Sequence, residues 1–193
     1  QGVELAVVPK RPALFTNAGT VLPALKSEQT EIGMKWQPSP RLLVTGAVFS
    51  IDKPFADDKT VANGLSERVA GGKQARHRGL ELSAVGQVNS QLSIQASYML
   101  LDAQYTAALN PALVGTVVTN VPKNKASLFA DYKVASVAGL SFNGLLSAES
   151  GKAVTADGAV MLPSSWQLDA GVRYRNQLWG KATVWNLNIE NLT

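Results

Sequence analysis

A period-two alternation of apolar and polar residues recurs about eight times along the chain and keeps almost every charge on one parity. In Trp166-Gln167-Leu168-Asp169-Ala170-Gly171-Val172-Arg173-Tyr174-Arg175 the even positions are apolar or aromatic, and the odd positions are polar, charged or Gly. Successive side chains of an extended strand point to opposite faces, so each such run is a β-strand with one apolar side. The central question is then what covers that side, a protein core or lipid.

Composition narrows the choice without making it. With 46% hydrophobic and 17% charged residues over 193 positions, the chain suits a soluble β protein or an outer-membrane barrel. It holds no run of about 18 apolar residues, which excludes a helical membrane span. The absence of Cys removes disulfides and thiolate metal sites. A net charge of +4 comes from scattered basic residues rather than a basic stripe, so nucleic acid is not expected as a partner and Arg76-His77-Arg78 reads as a solvated strand entrance. Gln1-Gly2-Val3-Glu4-Leu5 carries neither a basic leader nor a cleavage pattern, and the chain reads as a piece of something longer.

Alternation and turn residues predict strands near residues 28–37, 41–53, 77–88, 91–104, 124–134, 140–150, 165–176 and 181–192. These exceed the usual five or six residues of globular sheets. Their connectors alternate in length. Pro38-Ser39-Pro40, Asn89-Ser90, residues 136–139 and residues 176–180 are short, whereas residues 54–76, 105–123 and 151–164 are long. The expected fold is all-β, an antiparallel up-and-down meander of about eight strands with short turns at one end and long loops at the other. Bacterial outer-membrane barrels have that asymmetry.

The apolar parity holds Ile32, Met34 and Trp36; Leu43, Thr45, Ala47, Phe49 and Ile51; Leu80, Leu82 and Ala84; Ile94, Ala96, Tyr98 and Leu100. It continues through Ala126, Leu128, Ala130 and Tyr132; Phe142, Gly144, Leu146 and Ala148; Trp166 to Tyr174 at even numbers; and Trp185, Leu187 and Ile189. None is charged, whereas the opposite parity holds Glu31, Lys35, Asp52, Glu81, Asp131, Lys133, Glu149, Asp169, Arg173, Arg175 and Glu190. A Lys or Arg on a barrel's lipid face costs about 2–4 kcal/mol at the midplane, so lipid would enforce this segregation. A soluble sandwich would segregate charge too. Trp36, Tyr132 and Tyr174 near short turns, and Trp166 near a long loop, fit the aromatic girdles of a membrane barrel. Val44, Val48, Met99, Phe129 and Leu145 on the other face suit a lumen that is partly filled.

Ser27-Glu28-Gln29-Thr30-Glu31-Ile32-Gly33-Met34-Lys35-Trp36 resembles a strand entry of TonB-dependent outer-membrane receptors, especially ferric-siderophore receptors. Phe49-Ser50-Ile51-Asp52-Lys53-Pro54, Arg78-Gly79-Leu80-Glu81-Leu82-Ser83-Ala84, and Ala96-Ser97-Tyr98 with Leu101-Asp102-Ala103 follow in the family's order. So do Asn120-Val121-Pro122 leading to Ala126-Ser127-Leu128-Phe129-Ala130-Asp131-Tyr132, then Asp169-Ala170-Gly171-Val172-Arg173-Tyr174 and Asn188-Ile189-Glu190-Asn191-Leu192. The resemblance implies a fragment of a 22-stranded transmembrane β-barrel closed around a plug. Residues 1–26 would be a loop or the end of a preceding segment, and residues 27–193 the carboxy-terminal part of the barrel, without the plug and the final strand.

What the resemblance implies for function is an outer-membrane receptor of a Gram-negative cell taking up a ferric siderophore or related chelate. Its partners would be outer-membrane lipid, lipopolysaccharide, and TonB through the plug of the full-length protein. Basic and aromatic residues near the long loops are the ligand candidates: Phe55, Arg76, His77, Tyr105 and Lys152. No cofactor is expected, since iron would arrive bound to the chelate. A catalytic reading fails on inventory. The single His77 has no second His or Cys to join it, and no Gly-x-Ser-x-Gly, Walker or Gly-x-Gly-x-x-Gly motif is present. The competing reading is a passive outer-membrane barrel or a soluble β-sandwich that binds a partner through its long loops.

Overall fold

The computed structural model describes residues 2–193. In chain order the strands are β1 (Gly2–Glu4), β2 (Leu25–Ser39), β3 (Leu42–Thr60), β4 (Ser66–Gln87), β5 (Leu92–Ala108), β6 (Asn124–Lys133) and β7 (Leu140–Glu149). There follow β8 (Lys152–Ala153), β9 (Met161–Leu162), β10 (Ser165–Leu178) and β11 (Lys181–Ile189). Nine form one sheet in the order β1-β2-β3-β4-β5-β6-β7-β10-β11, while β8 and β9 pair within a connector. Every pairing in the nine-stranded sheet is antiparallel, as a meander with short turns requires.

Cross-strand register fixes which side chains share a face. Trp36, Met34 and Ile32 stand opposite Val44, Gly46 and Val48, which stand opposite Ala84, Leu82 and Leu80. That row continues through Ala96, Tyr98 and Leu100 of β5, then Leu128 and Ala126 of β6, Leu146 and Ala148 of β7, and Leu168 and Trp166 of β10. For β3 the expected parity is therefore corrected by one residue. Val44, Gly46 and Val48 belong to the apolar face, and Leu43, Thr45, Ala47, Phe49 and Ile51 to the polar one. The physical reason is visible at Gly79, directly opposite Phe49. A Cβ built on Gly79 would come within 2.5 Å of Phe49 Cζ and 2.7 Å of the Leu100 carbonyl oxygen, so the ring lies over the space that glycine leaves open.

The expected long loop at residues 54–76 is corrected too. β3 and β4 continue through most of it as a paired hairpin, up to Thr60 opposite Ser66, with an irregularity between Phe55 and Asp57. At the other end of the sheet, β10 turns into β11 through Trp179 (φ +51°) and Gly180 (φ +73°), a two-residue loop with both central residues left-handed. In the amino-terminal stretch, Val3 pairs with Lys26, and an isolated bridge joins Val7 to Val21.

Among the described residues no second layer packs on the sheet. Among the described residues the buried apolar side chains are Val8, Leu22, Leu25, Ala75, Ala103, Val118 and Ala153, nearly all at the long-loop end or in the amino-terminal stretch. On the apolar face Ile32 is 74% exposed, Leu187 66%, Trp166 60% and Trp36 58%. A soluble sandwich buries such residues between its two sheets, whereas among the described residues only the two-stranded β8–β9 pair lies outside this sheet.

Candidate functional site: lumen wall and mouth

The polar parity of the strands gathers Glu31 and Lys35 of β2, Thr45 of β3, Glu81 and Ser83 of β4, Ser97 of β5 and Lys125 of β6 on one side. A hollow of about 730 Å³ opens there, lined by Glu31, Lys35, Glu81 and Lys125 among others. A wall closed into a barrel with its apolar side to lipid turns this polar side to the lumen. Thr45 and Ser83 face each other across β3 and β4 and share a 2.7 Å hydrogen bond between their hydroxyls. Nearer the short turns, the Arg173 guanidinium on β10 donates to the carboxylate of Asp131 on β6. It reaches across β7 above the buried Ser141, which stands opposite both Lys133 and Arg173.

At the long-loop end a small apolar cluster sits on the same side. Phe55, Tyr105 and Val121 pack against Ala75, Ala103 and Val118. Two of the sequence candidates, Phe55 and Tyr105, are thus brought together. His77 shares their face one row below, opposite Ile51 and Ala103, and is half-buried. Arg76 points to the opposite face, where its Nε lies 2.7 Å from Asp52 Oδ1. Lys152 stands apart on β8, with its Nζ 2.9 Å from Glu149 Oε1.

Several residues at this end carry structure that periodicity does not announce. Lys53 Nζ lies 3.3 Å from Glu4 Oε2 and 5.1 Å from the centroid of the Phe55 ring. Lys73 pairs with Asp57 at 3.2 Å. Higher on the hairpin, Arg68 donates to both carboxylate oxygens of Asp58, at 2.6 and 2.8 Å, while its guanidinium stacks over Phe15. The Arg68 hydrogen bond holds the Asp58 carboxyl below the usual carboxylate range, and the same bond raises the Arg68 guanidinium. Residues 14–17 are strapped onto the hairpin. The Thr16 amide donates to the Ser66 carbonyl, the Ser66 amide to the Leu14 carbonyl, and Asn17 exchanges two hydrogen bonds with the Arg68 backbone.

On the apolar face Trp36, Tyr132 and Tyr174 lie near the short turns, all exposed, and Trp166 lies at the long-loop end of β10. Trp185 stands opposite Tyr174 and Phe142 opposite Tyr132, which thickens the lower aromatic row. Beyond that row the same face turns polar, with Trp185 Nε1 donating to Asn176 Oδ1 at 3.3 Å and Thr183 opposite Asn176.

The family model "TonB dependent receptor-like, beta-barrel" matches residues 9–192. The chain belongs to the TonB-dependent receptor β-barrel family. Its sheet is a wall segment of an outer-membrane barrel of Gram-negative bacteria, a transporter family rather than an enzyme family. The ferrichrome receptor FcuA of Yersinia enterocolitica is 31% identical over 92% of this chain and 23% of its own length. An uncharacterized TonB-dependent receptor of Haemophilus influenzae is 31% identical over 89% of this chain and 51% of its own. The crystal structure of BauA, the ferric preacinetobactin receptor of Acinetobacter baumannii, superposes with a TM-score of 0.80 at 28% identity, covering 97% of this chain and 28% of that one. The chain thus spans about half the length of one of these relatives and roughly a quarter of the others.

Proposed function

We propose that this wall belongs to a receptor that takes up a ferric siderophore across the outer membrane, driven by TonB acting on a plug in the parent protein. The observation that carries the wall reading is the single-layered sheet with one uncovered apolar face and one hollowed polar face. Only lipid outside and a filled or aqueous lumen inside suit both. Ferric siderophore as cargo is supported by the relatives named for ferrichrome and ferric preacinetobactin. In this reading residues 27–193 supply barrel wall, and Trp36, Tyr132, Tyr174 and Trp166 mark the two membrane interfaces. Trp166 and Tyr174 are eight residues apart on β10. At about 3.4 Å per residue and a tilt of about 40° that is roughly 21 Å in height, close to the apolar band of about 25 Å.

The mouth would take its ligand contacts from the face that carries Phe55, His77 and Tyr105. Arg76 is directed outward and paired with Asp52, and Lys152 is occupied by Glu149. Uptake of radioactive iron from a panel of chelates, in cells with and without the full-length receptor and with and without TonB, tests the reading. Receptor-dependent and TonB-dependent uptake of at least one ferric chelate is expected. Uptake that persists without TonB would mean a passive barrel, and no uptake of any iron chelate would refute the assignment.

A further inference from the structure

We infer that the short-turn end of the lumen face is a docking bed for an acidic segment of the plug, made by Lys133, Arg173 and Arg175. The inference rests on the receptor reading above, which puts a plug in the lumen, and adds the place and charge of one plug contact. Charge divides along the lumen parity of the strands. Beside the short turns that parity carries Lys35, Lys133, Arg173 and Arg175 against Asp131. Farther from the turns and below the mouth it carries Glu31, Glu81, Glu149 and Asp169 against Lys125. The cations thus gather at one end of the lumen face.

Three of them form one cluster. Lys133 of β6 and Arg173 of β10 share a row on either side of Ser141, and two strand spacings set their Cα atoms about 10 Å apart. Arg175 follows on the same face, one pleat nearer the turn. Arg173 lies across β7 over the buried Ser141 to reach Asp131, so its guanidinium paves the surface between the other two cations. Its Nε has no acceptor among the described residues, which leaves the fork with donors to spare. Lys133 and Arg175 are exposed and, among the described residues, in no ion pair.

Like charges side by side on one sheet face oppose each other, and a single carboxylate does not offset three cations. Lipid phosphate does not reach this face, because it has the lumen parity. Carboxylates of a protein segment do fit it, since guanidinium forks take carboxylate oxygens two at a time and stay charged in a contact that excludes water. A small anion arriving from the mouth would first pass the acidic stretch of Glu31, Glu81 and Asp169. A plug segment is in place from assembly.

The full-length receptor in vesicles, with a photoreactive maleimide on Asn186→Cys and any other cysteine replaced, gives the test. Asn186 stands opposite Arg173 on the same face and is uncharged, so the probe leaves the three cations in place. Mass spectrometry of the captured peptide is expected to identify a plug segment of negative net charge. Raising salt from about 0.1 M to about 1 M, which shortens the screening length from about 10 Å to about 3 Å, is expected to lower capture about twofold or more. Lys133→Glu with Arg175→Glu is expected to lower it about fivefold, and Lys133→Arg with Arg175→Lys to keep it within about twofold, each scored on the folded fraction. Should the charge reversal fail to fold, the identity of the peptide and the salt response still decide. A captured plug segment that is neutral or basic, capture indifferent to salt or to charge reversal, or no capture of the plug would overturn the inference and leave the receptor reading standing. A full-length protein without a plug would overturn the receptor reading itself.

Discussion

The strands β3 and β4 pass through two different regions, paired from Leu42 opposite Gly86 to Thr60 opposite Ser66 on either side of the irregularity between Phe55 and Asp57. In the lower region their outer face is Val44, Gly46 and Val48 against Ala84, Leu82 and Leu80, without a charge. In the upper region ion pairs join the strands, Asp52 with Arg76 and Asp58 with Arg68 on shared rungs and Asp57 with Lys73 across the irregularity. At 19 and 22 residues the two strands are about twice the 9–11 residues that a tilted strand needs to cross a bilayer. The backbone pairing is the same in both regions, and the medium selects the side chains. Lipid forbids charge on one face and so writes a period of two into the sequence. Water on both faces of the upper hairpin imposes no such period, and cross-strand charge pairs take over the pairing.

The largest expected break in this comparison is Ala170→Arg, which places a cation at mid-height on the outer face of β10. Folding of the full-length barrel into vesicles, followed by denaturant titration, should lose about 2–4 kcal/mol, against less than about 1 kcal/mol for Gln167→Arg on the lumen side. Equal losses would erase the distinction between the two faces.

Next in size is a pair of glycine substitutions, one in each region. Gly79→Ala in the wall forces a methyl against the Phe49 ring and the Leu100 carbonyl, and should cost about 1–3 kcal/mol by overpacking. Gly71→Ala in the upper hairpin has nothing within 4 Å of its Cβ, so its cost is backbone strain alone at φ +72°, about 1 kcal/mol. A larger loss at Gly71 than at Gly79, in the same titration, would mean that the wall is not the more tightly packed region.

The smallest effect sharpens the comparison by pH. The Arg68–Asp58 pair is partly exposed and contributes under about 1 kcal/mol, confined to the hairpin tip. Since Asp58 titrates below its ordinary value, its contribution is complete at pH values above about 3.9, the unfolded-chain value. It is lost as pH falls through the lowered native one. Amide exchange at Ser66 and Arg68, corrected for intrinsic rate, should therefore keep its protection from neutral pH to about 4 and lose it only below. Asp58→Asn should lower that protection at all pH values and flatten the acid step. A step at a higher pH than an ordinary aspartate shows would contradict the pairing.

The wall was legible in the sequence because lipid leaves a periodic mark. Trp166 to Tyr174 gives β10 its correct face, and the same holds for β2, β4, β5, β6, β7 and β11. At β3 the mark fails because both parities of residues 42–49 are apolar or small, and side-chain volume favours the wrong one. Only the register with β2 and β4 decides, together with the vacancy at Gly79 that Phe49 covers. The upper hairpin was hidden by Pro54, by Gly71-Gly72 and by charges on both faces, all of which read as loop. At the mouth, Phe55 of β3 and Tyr105 of β5 pack against one cluster because the registers of β3, β4 and β5 bring it between them, which composition does not encode. The strap at residues 14–17 rests on Asn17 meeting the Arg68 backbone, a contact between segments some fifty residues apart. No local signal in the sequence marks it.

The central claim is that the uncovered face of the sheet is lipid-facing, with β3 assigned by its neighbours rather than by its own hydrophobicity. Single cysteines at positions 44 to 49 of the full-length receptor, with any other cysteine replaced, can be spin-labelled and read in a bilayer for access to oxygen and to a water-soluble relaxant. Oxygen access is predicted to peak at Val44, Gly46 and Val48, with the aqueous relaxant favouring Thr45, Ala47 and Phe49. Peaks of oxygen access at the odd positions, or no alternation at all, would contradict the account.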